Sequence, residues 1–269
     1  MKRLLAAALA LAAGGASAAE VQLSTATADP HALVGAILPS TTGYQSLTAF
    51  PEKLFYDVAW GILGVGQATL EVEDLVEFNG RPAYHVASRA ISNHFCDGFY
   101  KVRDLNESWM DARTLSSLGY SKKLREGRFF RDEWVLNSDG RWVGKWAGRD
   151  GNYSVATGTA PVGVQDVLSA MYFLRGKPLS PGAEIVLDVN TRQNWPLVVR
   201  VVKKEPVTTP AGRFDAYLIE PALRQEGLFL QKGNRLRIWL SDDPKRVPVM
   251  MKVDVFFGSI TARLAKMVY

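Results

Sequence analysis

The stretch "DVLSAMYFLRG", residues 166–176, is the segment on which the fold depends, because its apolar residues recur with the period of a helix. Arg175 places a positive charge in the last turn, where it complements the helix dipole, and Gly176 suits the end of the helix. Other apolar residues occupy the remaining faces, so the helix needs neighbours on several sides. We therefore predict one buried central helix over about residues 164–175. Its apolar stripe is formed by Val164, Val167, Leu168 and Met171.

The sequence on both sides of this helix has the period of β-strands. In "KLFYDVAWGI", residues 53–62, every second residue from Leu54 to Trp60 is apolar and lies on one face. Asn79-Gly80 and Asp139-Gly140 are typical hairpin turns between further alternating segments. About a dozen such segments follow one another at roughly 8–12-residue spacing. They predict a mainly β protein, with a large antiparallel curved sheet or a half-open barrel or sandwich around the helix.

The first residues have the pattern of an export signal. Lys2 and Arg3 precede the apolar run "LLAAALALAAGGASA", which ends in Ala16-Ser17-Ala18. We predict a cleaved signal peptide at residues 1–18, with an uncleaved anchor as the alternative. The mature chain is then expected in the periplasm and is not expected to be an integral membrane protein.

The remaining chain divides into an arm and one domain. Residues 19–50 are rich in Ser, Thr and Ala without steady periodicity, so we predict a poorly ordered N-terminal arm. No linker or composition shift interrupts residues 51–269, which predicts a single β-rich domain. Its halves, residues 51–160 and 177–269, meet at the helix.

Charge and cysteine content restrict the classes of partner and cofactor. The longest basic cluster, "SKKLREGRFFR" at residues 121–131, is more typical of a solvated sheet face than of a nucleic-acid site, so we predict no nucleic-acid partner. Cys96 is the only cysteine, which leaves the fold without an intrachain disulfide. "HFCD", residues 94–97, does not have the spacing of a closed zinc set. No metal and no other cofactor is predicted.

No catalytic motif is complete in this sequence. "GILGVG", residues 61–66, lies between strands rather than between a strand and a helix, so it does not predict a dinucleotide site. Asp104, Glu107 and Asp111 could form the acid pair of a glycosidase, but the sequence does not determine their separation. We predict that the protein is not an enzyme and keep a carboxylate-dependent hydrolase as the least favoured alternative.

Several segments resemble a known family in their order along the chain. They are "LFYDVAWGILGVGQATLEV", "DVLSAMYFLR" followed by "PLSPGAEI", "VTTPAGRFDAYLIEP" and "RIWLSDD…RVPVMMKV…GSITARL". From about Pro51 to Tyr269 the sequence resembles the exported bacterial family called domain of unknown function 3108. This resemblance implies an envelope protein without an established reaction or catalytic residues. The strand-helix-strand plan is similar, more loosely, to the half-barrels of periplasmic lipoprotein carriers.

The leading functional hypothesis is a non-enzymatic exported envelope protein. It would bind an apolar or amphipathic ligand, lipid or lipoprotein-like, in a β half-barrel. The alternative is a structural module with a filled core that interacts with an envelope protein or a glycan. The two hypotheses differ in whether ligand-sized space lies beside the helix. The residues predicted to line such a cavity are Trp60, Val167, Leu168, Met171, Tyr172 and Trp239.

Overall fold

The computed structural model describes residues 29–38, 44, 50–138, 140–191, 193–223 and 235–269. Within these ranges the chain forms fifteen strands, two α-helices and a 3-10 helix at Pro30–Leu33. The predicted signal peptide lies outside the described residues. The elements are β1 (Val34–Ile37), β2 (Glu52–Trp60), β3 (Leu63–Phe78), β4 (Arg81–Ser92), α1 (His94–Asp97), β5 (Arg103–Asp111), β6 (Ser117–Glu126), β7 (Phe129–Ser138), β8 (Arg141–Ala147), β9 (Tyr153–Thr159), α2 (Val167–Arg175), β10 (Glu184–Asn190), β11 (Asn194–Thr209), β12 (Gly212–Leu223), β13 (Leu236–Ser241), β14 (Pro248–Asp254) and β15 (Ser259–Val268).

All fifteen strands belong to one antiparallel sheet. Strands β2 to β9 follow one another as a meander, and so do β10 to β15. The two meanders join where β15 pairs with β2, with Ile260 opposite Trp60. The free edges are β9 and β10, and α2 connects them along the chain. The sheet is not closed into a barrel, and the predicted mainly β, half-open architecture is confirmed.

The predicted turn at Asn79-Gly80 is confirmed by the backbone. Both residues have positive φ, 49° and 74°, as a tight two-residue hairpin requires. The turn joins β3 to β4, whose register places Phe78 opposite Arg81. Alternation along the strands then assigns each residue to one of two faces. We call the face that contacts α2 the helix face and the opposite one the outer face.

Helix α2 is the buried central helix that the sequence predicts, but it begins later than expected. The Asp166 carboxylate accepts hydrogen bonds from the N–H groups of Leu168 and Ser169 at 2.8 and 3.0 Å. The Ser169 hydroxyl in turn accepts from the Asp166 N–H at 2.8 Å. This capping box makes Asp166 the residue before the helix, because an aspartate side chain satisfies the free N–H groups of the first turn.

The predicted start near residue 164 is therefore wrong. Val164 continues the apolar stripe in the sequence but lies before the cap. Gln165 instead pairs with β10, since its N–H donates to the Asp188 carbonyl at 2.8 Å and its carbonyl accepts from the Asn190 N–H at 2.7 Å. The backbone groups of this segment are satisfied by a strand edge, which competes with helix formation.

The core lies between α2 and the helix face. Strands β2, β3, β10 to β15 and parts of β4 and β5 contribute buried apolar side chains to one continuous cluster. The side chains of α2 in this cluster are Leu168, Ala170, Tyr172 and Leu174. Contacts with strands on several sides explain why the helix is apolar on most faces.

Part of the predicted poorly ordered arm, residues 19–50, is ordered in the structure. The Asp29 carboxylate caps the 3-10 helix by accepting from the His31 N–H at 3.0 Å, and Pro30 occupies its first position. β1 then pairs with the end of β3, with Val34 opposite Phe78. Because β3 extends beyond the start of β2, its last residues leave a free edge that β1 fills. Of the remaining arm, residues 19–28, 39–43 and 45–49 lie outside the described residues.

No helix among the described residues combines the length and the apolar composition that a bilayer span requires.

Candidate functional site

The six residues that the sequence assigns to a ligand cavity differ in burial, although all except Val167 lie in or pack against one apolar cluster. Leu168, Tyr172 and Trp239 are buried in the core. Trp60, Val167 and Met171 are half-buried. Both tryptophans use their indole N–H groups: Trp239 donates to Glu205 at 2.9 Å, and Trp60 donates to the Phe257 carbonyl at 2.6 Å. Trp60 lies at the end of β2 and so marks one end of the sheet.

The space beside the first turn of α2 is small. The cavity lined by Val167 and Leu168, together with Tyr120 and Lys122 of β6, has a volume of about 10 Å³. A space of that size holds one water molecule at most. At this position the described residues form a packed core rather than a ligand cavity.

The last turn of α2 is held by a buried ion pair. Arg175 Nη1 lies 2.6 Å from Glu52 Oε1, and Nη2 lies 2.7 Å from Oε2, so the pair is bidentate. The two side chains are 2% and 0% exposed. Arg175 also donates from Nε and Nη2 to the Lys245 carbonyl at 3.1 and 3.0 Å. The helix end is thereby connected to β2 and to the turn between β13 and β14.

Tyr172 completes this buried cluster. Its hydroxyl donates to Glu52 Oε1 at 3.3 Å. Burial raises the pKa of the Tyr172 hydroxyl, and the Glu52 carboxylate adds to that effect. The tyrosine therefore remains a neutral donor. From sequence, Arg175 is only a favourable charge at a helix end, because its partner lies 123 residues away in the chain.

The first turn of α2 is held from the other side. The Ser108 hydroxyl of β5 donates to Asp166 Oδ2 at 2.6 Å, in addition to the capping hydrogen bonds. Burial raises the pKa of the Asp166 carboxyl, and the hydrogen bond from Ser108 acts in the opposite direction. Both ends of α2 are thus bonded to strands of the same sheet, which fixes the helix in place.

The three candidate acids of β5 do not face one another. Ser108 points toward α2, so alternation places Asp104 on the helix face and Glu107 and Asp111 on the outer face. Asp104 is 5% exposed, and burial raises the pKa of its carboxyl, which is hydrogen-bonded to Glu126. Asp111 instead pairs with Arg81 at 2.5 Å on the opposite face. The sheet therefore separates Asp104 from the other two acids, while Glu107 and Asp111 lie four residues apart on the outer face and pair with His85 and Arg81, respectively.

An aromatic cluster covers part of the outer face. Trp109 is fully buried between the rings of Phe78 and His85, with centroid distances of 5.1 and 5.2 Å. His31 of the 3-10 helix contacts the Trp109 ring edge-on at 5.2 Å. Glu107 lies between the histidines, 3.2 Å from His85 Nε2 and 3.0 Å from His31 Nε2. We call these five residues the Trp109 cluster. They hold the N-terminal segment on the sheet.

Beside the Trp109 cluster lies an open groove of about 520 Å³, which we call the outer groove. This volume is typical of small-molecule sites. Its apolar lining comes from the 3-10 helix and from strands β3, β6, β7 and β8. Its polar residues lie mainly around the β3–β4 turn and on β9. The apolar lining residues are Leu33, Phe78, Leu118, Leu136 and Val143, and polar lining residues include Asn79, Arg81, Arg141, Thr157 and Thr159.

The arginines at the outer groove differ in their partners. Arg81 is paired with Asp111, whereas Arg141 is exposed and has no ion-pair partner in the part of the chain that the structure describes. An apolar floor with a cationic rim suits a ligand that has an apolar body and an anionic group. The periodicity of the sequence does not indicate this groove, because its walls come from segments that are far apart in the chain.

The described residues contain no group of three or more His, Cys, Asp or Glu side chains arranged to hold a metal ion. Cys96 is buried in α1, and the Asn93 side chain caps that helix by accepting from the Cys96 N–H at 2.9 Å.

A single open antiparallel sheet that packs around one buried helix defines a β-barrel-like protein. Within that class, the family described as Protein of unknown function (DUF3108) matches residues 56–265. The chain belongs to this family, which confirms the resemblance found in the sequence. No curated protein sequence matches the chain.

Two solved structures are similar to the chain. One is a β-barrel-like protein of domain of unknown function DUF1849 from Brucella abortus, with 14% identity and a TM-score of 0.58; the match covers 83% of this chain and 99% of that one. The other is named "putative lipoprotein" and comes from Parabacteroides distasonis, with 9% identity, a TM-score of 0.29 and coverage of 84% and 98%. The first match establishes a shared fold.

Proposed function

We propose that the protein is a non-enzymatic, exported component of the cell envelope that binds an amphipathic ligand in the outer groove. The volume of this groove, about 520 Å³ with an apolar lining, is the observation that carries the proposal. The ligand combines an apolar chain, which contacts Leu136 and Val143, with an anionic group near Arg141. The signal peptide that the sequence predicts at residues 1–18 supports a periplasmic location.

This proposal relocates the ligand from the helix to the opposite face. The packed space at Leu168 and the bonded ends of α2 favour a filled interior, which is the feature of the alternative interaction module. The outer groove supplies the apolar space that the leading hypothesis needs. A function without acid pair chemistry is supported by the position of Asp104 on the other face from Glu107 and Asp111, and by the separate basic partners of the latter two.

Organic extraction and native mass spectrometry of the purified mature protein test the proposal directly. We expect an anionic amphiphile to co-purify with the protein. Binding of anilinonaphthalene sulfonate, an anionic amphiphilic probe, gives an affinity that variants can change. Leu136→Glu and Val143→Trp should each weaken probe binding at least about tenfold, because one places a charge on the apolar floor and the other fills the groove.

A matched control is available on β15. Val268 is 43% exposed and does not line the outer groove, so Val268→Trp should leave the probe affinity unchanged. Far-UV circular dichroism of all variants verifies the fold. Equal affinities for wild type, Leu136→Glu and Val143→Trp, or extraction of no amphiphile, would overturn the proposal.

A further inference from the structure

Six large apolar side chains are exposed together at one end of the sheet. They lie on three connections: the β2–β3 turn, the segment around α1 and the β14–β15 turn. Ile62 is fully exposed, and Phe256 is 89% exposed. We call this group the apolar tip. Its members are Ile62, Leu63, Phe95, Phe99, Phe256 and Phe257.

Hydrogen bonds join the three connections into one surface. The Gly61 N–H donates to the Ser259 carbonyl at 2.9 Å, which ties the β2–β3 turn to the start of β15. Asn93, before α1, donates from its side chain to the Gly64 carbonyl at 2.8 Å. The aromatic rings also contact each other within each connection, with centroid distances of 5.5 Å for Phe95–Phe99 and 4.6 Å for Phe256–Phe257. The three connections that carry the apolar tip are thus joined to one another by hydrogen bonds.

The charges around the apolar tip leave a cationic excess. The carboxylate of Asp97 is paired with Arg103 at 2.6 Å, and Arg237 pairs with Asp254 at 2.5 Å. Lys101 is exposed and follows α1 by four residues. The Gly127 N–H donates to the Lys101 carbonyl at 2.7 Å, which brings the β6–β7 turn and its exposed Arg128 to the same end. In the part of the chain that the structure describes, neither Lys101 nor Arg128 has an ion-pair partner.

We propose that the apolar tip docks the protein on the surface of an anionic phospholipid bilayer. Aromatic and aliphatic side chains at projecting turns enter the interface, while flanking basic residues meet the lipid phosphates. Asp97 and Asp254, the acids on the connections that carry the phenylalanines, are paired, so these two carboxylates do not oppose this approach. Large apolar side chains exposed at one end of a protein are typical of a surface that contacts a membrane or another protein. The proposal rests on the end of the sheet and is independent of the outer groove.

Flotation with lipid vesicles tests the docking. The wild-type protein should float with vesicles that contain phosphatidylcholine and phosphatidylglycerol, and much less with phosphatidylcholine alone. Binding should decrease as salt is raised, because exposed charges are screened within about 8–10 Å at 0.1–0.15 M ionic strength. These two readouts report the electrostatic part of the interaction.

Variants separate the apolar part from the electrostatic part. Phe256→Ser combined with Phe257→Ser should lower the partition coefficient at least about tenfold on anionic vesicles. Lys101→Glu combined with Arg128→Glu should lower it about tenfold or more on anionic vesicles and leave binding to neutral vesicles unchanged. The matched control is Val162→Ser combined with Val186→Ser, which removes exposed apolar side chains away from the apolar tip and should change nothing.

Three outcomes would overturn the proposal. The first is wild-type protein that does not float with anionic vesicles. The second is equal flotation of the wild type and the Phe256→Ser, Phe257→Ser variant. The third is a concentration-dependent dimer of the wild type, detected by analytical ultracentrifugation, that the same variant does not form. That result would assign the apolar tip to contact with a second copy of the chain. Circular dichroism of each variant distinguishes loss of docking from loss of fold.

Discussion

The two faces of the same sheet use apolar side chains in different ways. On the helix face, α2 contributes Leu168, Ala170, Tyr172 and Leu174 to the core, and the space beside Leu168 is about 10 Å³. On the outer face, the Trp109 cluster covers only part of the sheet and leaves a groove of about 520 Å³. An apolar segment in a sequence predicts burial. Whether an apolar surface becomes a packed core or an open site depends on what covers it, which sequence periodicity does not report.

The largest expected effect is at the buried ion pair that fixes α2 on the helix face. Arg175→Leu leaves the Glu52 carboxylate buried without its guanidinium, and such a loss costs about 3–5 kcal/mol of unfolding free energy. Urea denaturation measures the change. The double variant Glu52→Gln, Arg175→Leu removes both charges and should recover a large part of the loss. If the unfolding free energy of Arg175→Leu lies within about 1 kcal/mol of the wild-type value, the ion pair does not fix α2 on the sheet.

The same truncation on each face should give different losses of stability. Leu168→Ala creates a cavity in a packed core and is expected to cost about 2–5 kcal/mol. Leu136→Ala removes a half-buried side chain that already borders open space, so we expect a loss of about 1 kcal/mol or less. Urea denaturation of both variants provides the comparison. Equal losses would mean that the outer groove is packed like the core.

Much of the fold could be predicted because its signals are local. The period of two in β2, the Asn79-Gly80 turn and the apolar α2 segment depend on residues within one element. The pairing of β15 with β2 depends on residues that are far apart in the chain, and no short-range pattern records it. The start of α2 is not predictable for a related reason: Val164 fits the apolar stripe, but the pairing of Gln165 with β10 and the Asp166 cap make the helix begin after it.

The candidate site was less predictable than the fold. Apolar character in the sequence marks core residues such as Leu168 and Tyr172 as well as residues that line a cavity, and it does not distinguish the two. The outer groove combines Leu33 with Leu136 and Val143, and only the docking of the N-terminal segment brings them together. The one available signal was Asp29-Pro30, a helix start in a segment that otherwise looks disordered.

The helix caps on the two faces offer a smaller and matched comparison. Asp166 caps α2 inside the core and also accepts from Ser108, whereas Asp29 caps the 3-10 helix in an exposed position. Asp166→Ala should cost about 1–2 kcal/mol and Asp29→Ala about 0.5 kcal/mol. Asp166→Asn preserves the cap and should cost less than the alanine. Thermal or urea unfolding measures all three, and a larger loss at Asp29 would contradict the assignment of α2 as the central element.

The smallest expected effect is on pH dependence, and it contrasts the buried Asp166 with the half-buried Asp97. Hydrogen bonds from Arg103 and Ser92 lower the pKa of Asp97 from 3.8 to about 2. Because this folded-state pKa lies below the ordinary value, Asp97 contributes stability above pH 3.8 that is lost as the pH falls toward 2.

Burial raises the pKa of Asp166, so the folded protein holds that proton more tightly than the unfolded chain. Ionisation of Asp166 therefore lowers stability as the pH rises from 3.8 through its folded-state pKa. Carboxyl-detected NMR titration, with Asp97→Asn and Asp166→Asn for assignment, should find the two midpoints on opposite sides of 3.8. Coinciding midpoints would mean that water reaches Asp166, and the interior beside α2 would then be open rather than packed.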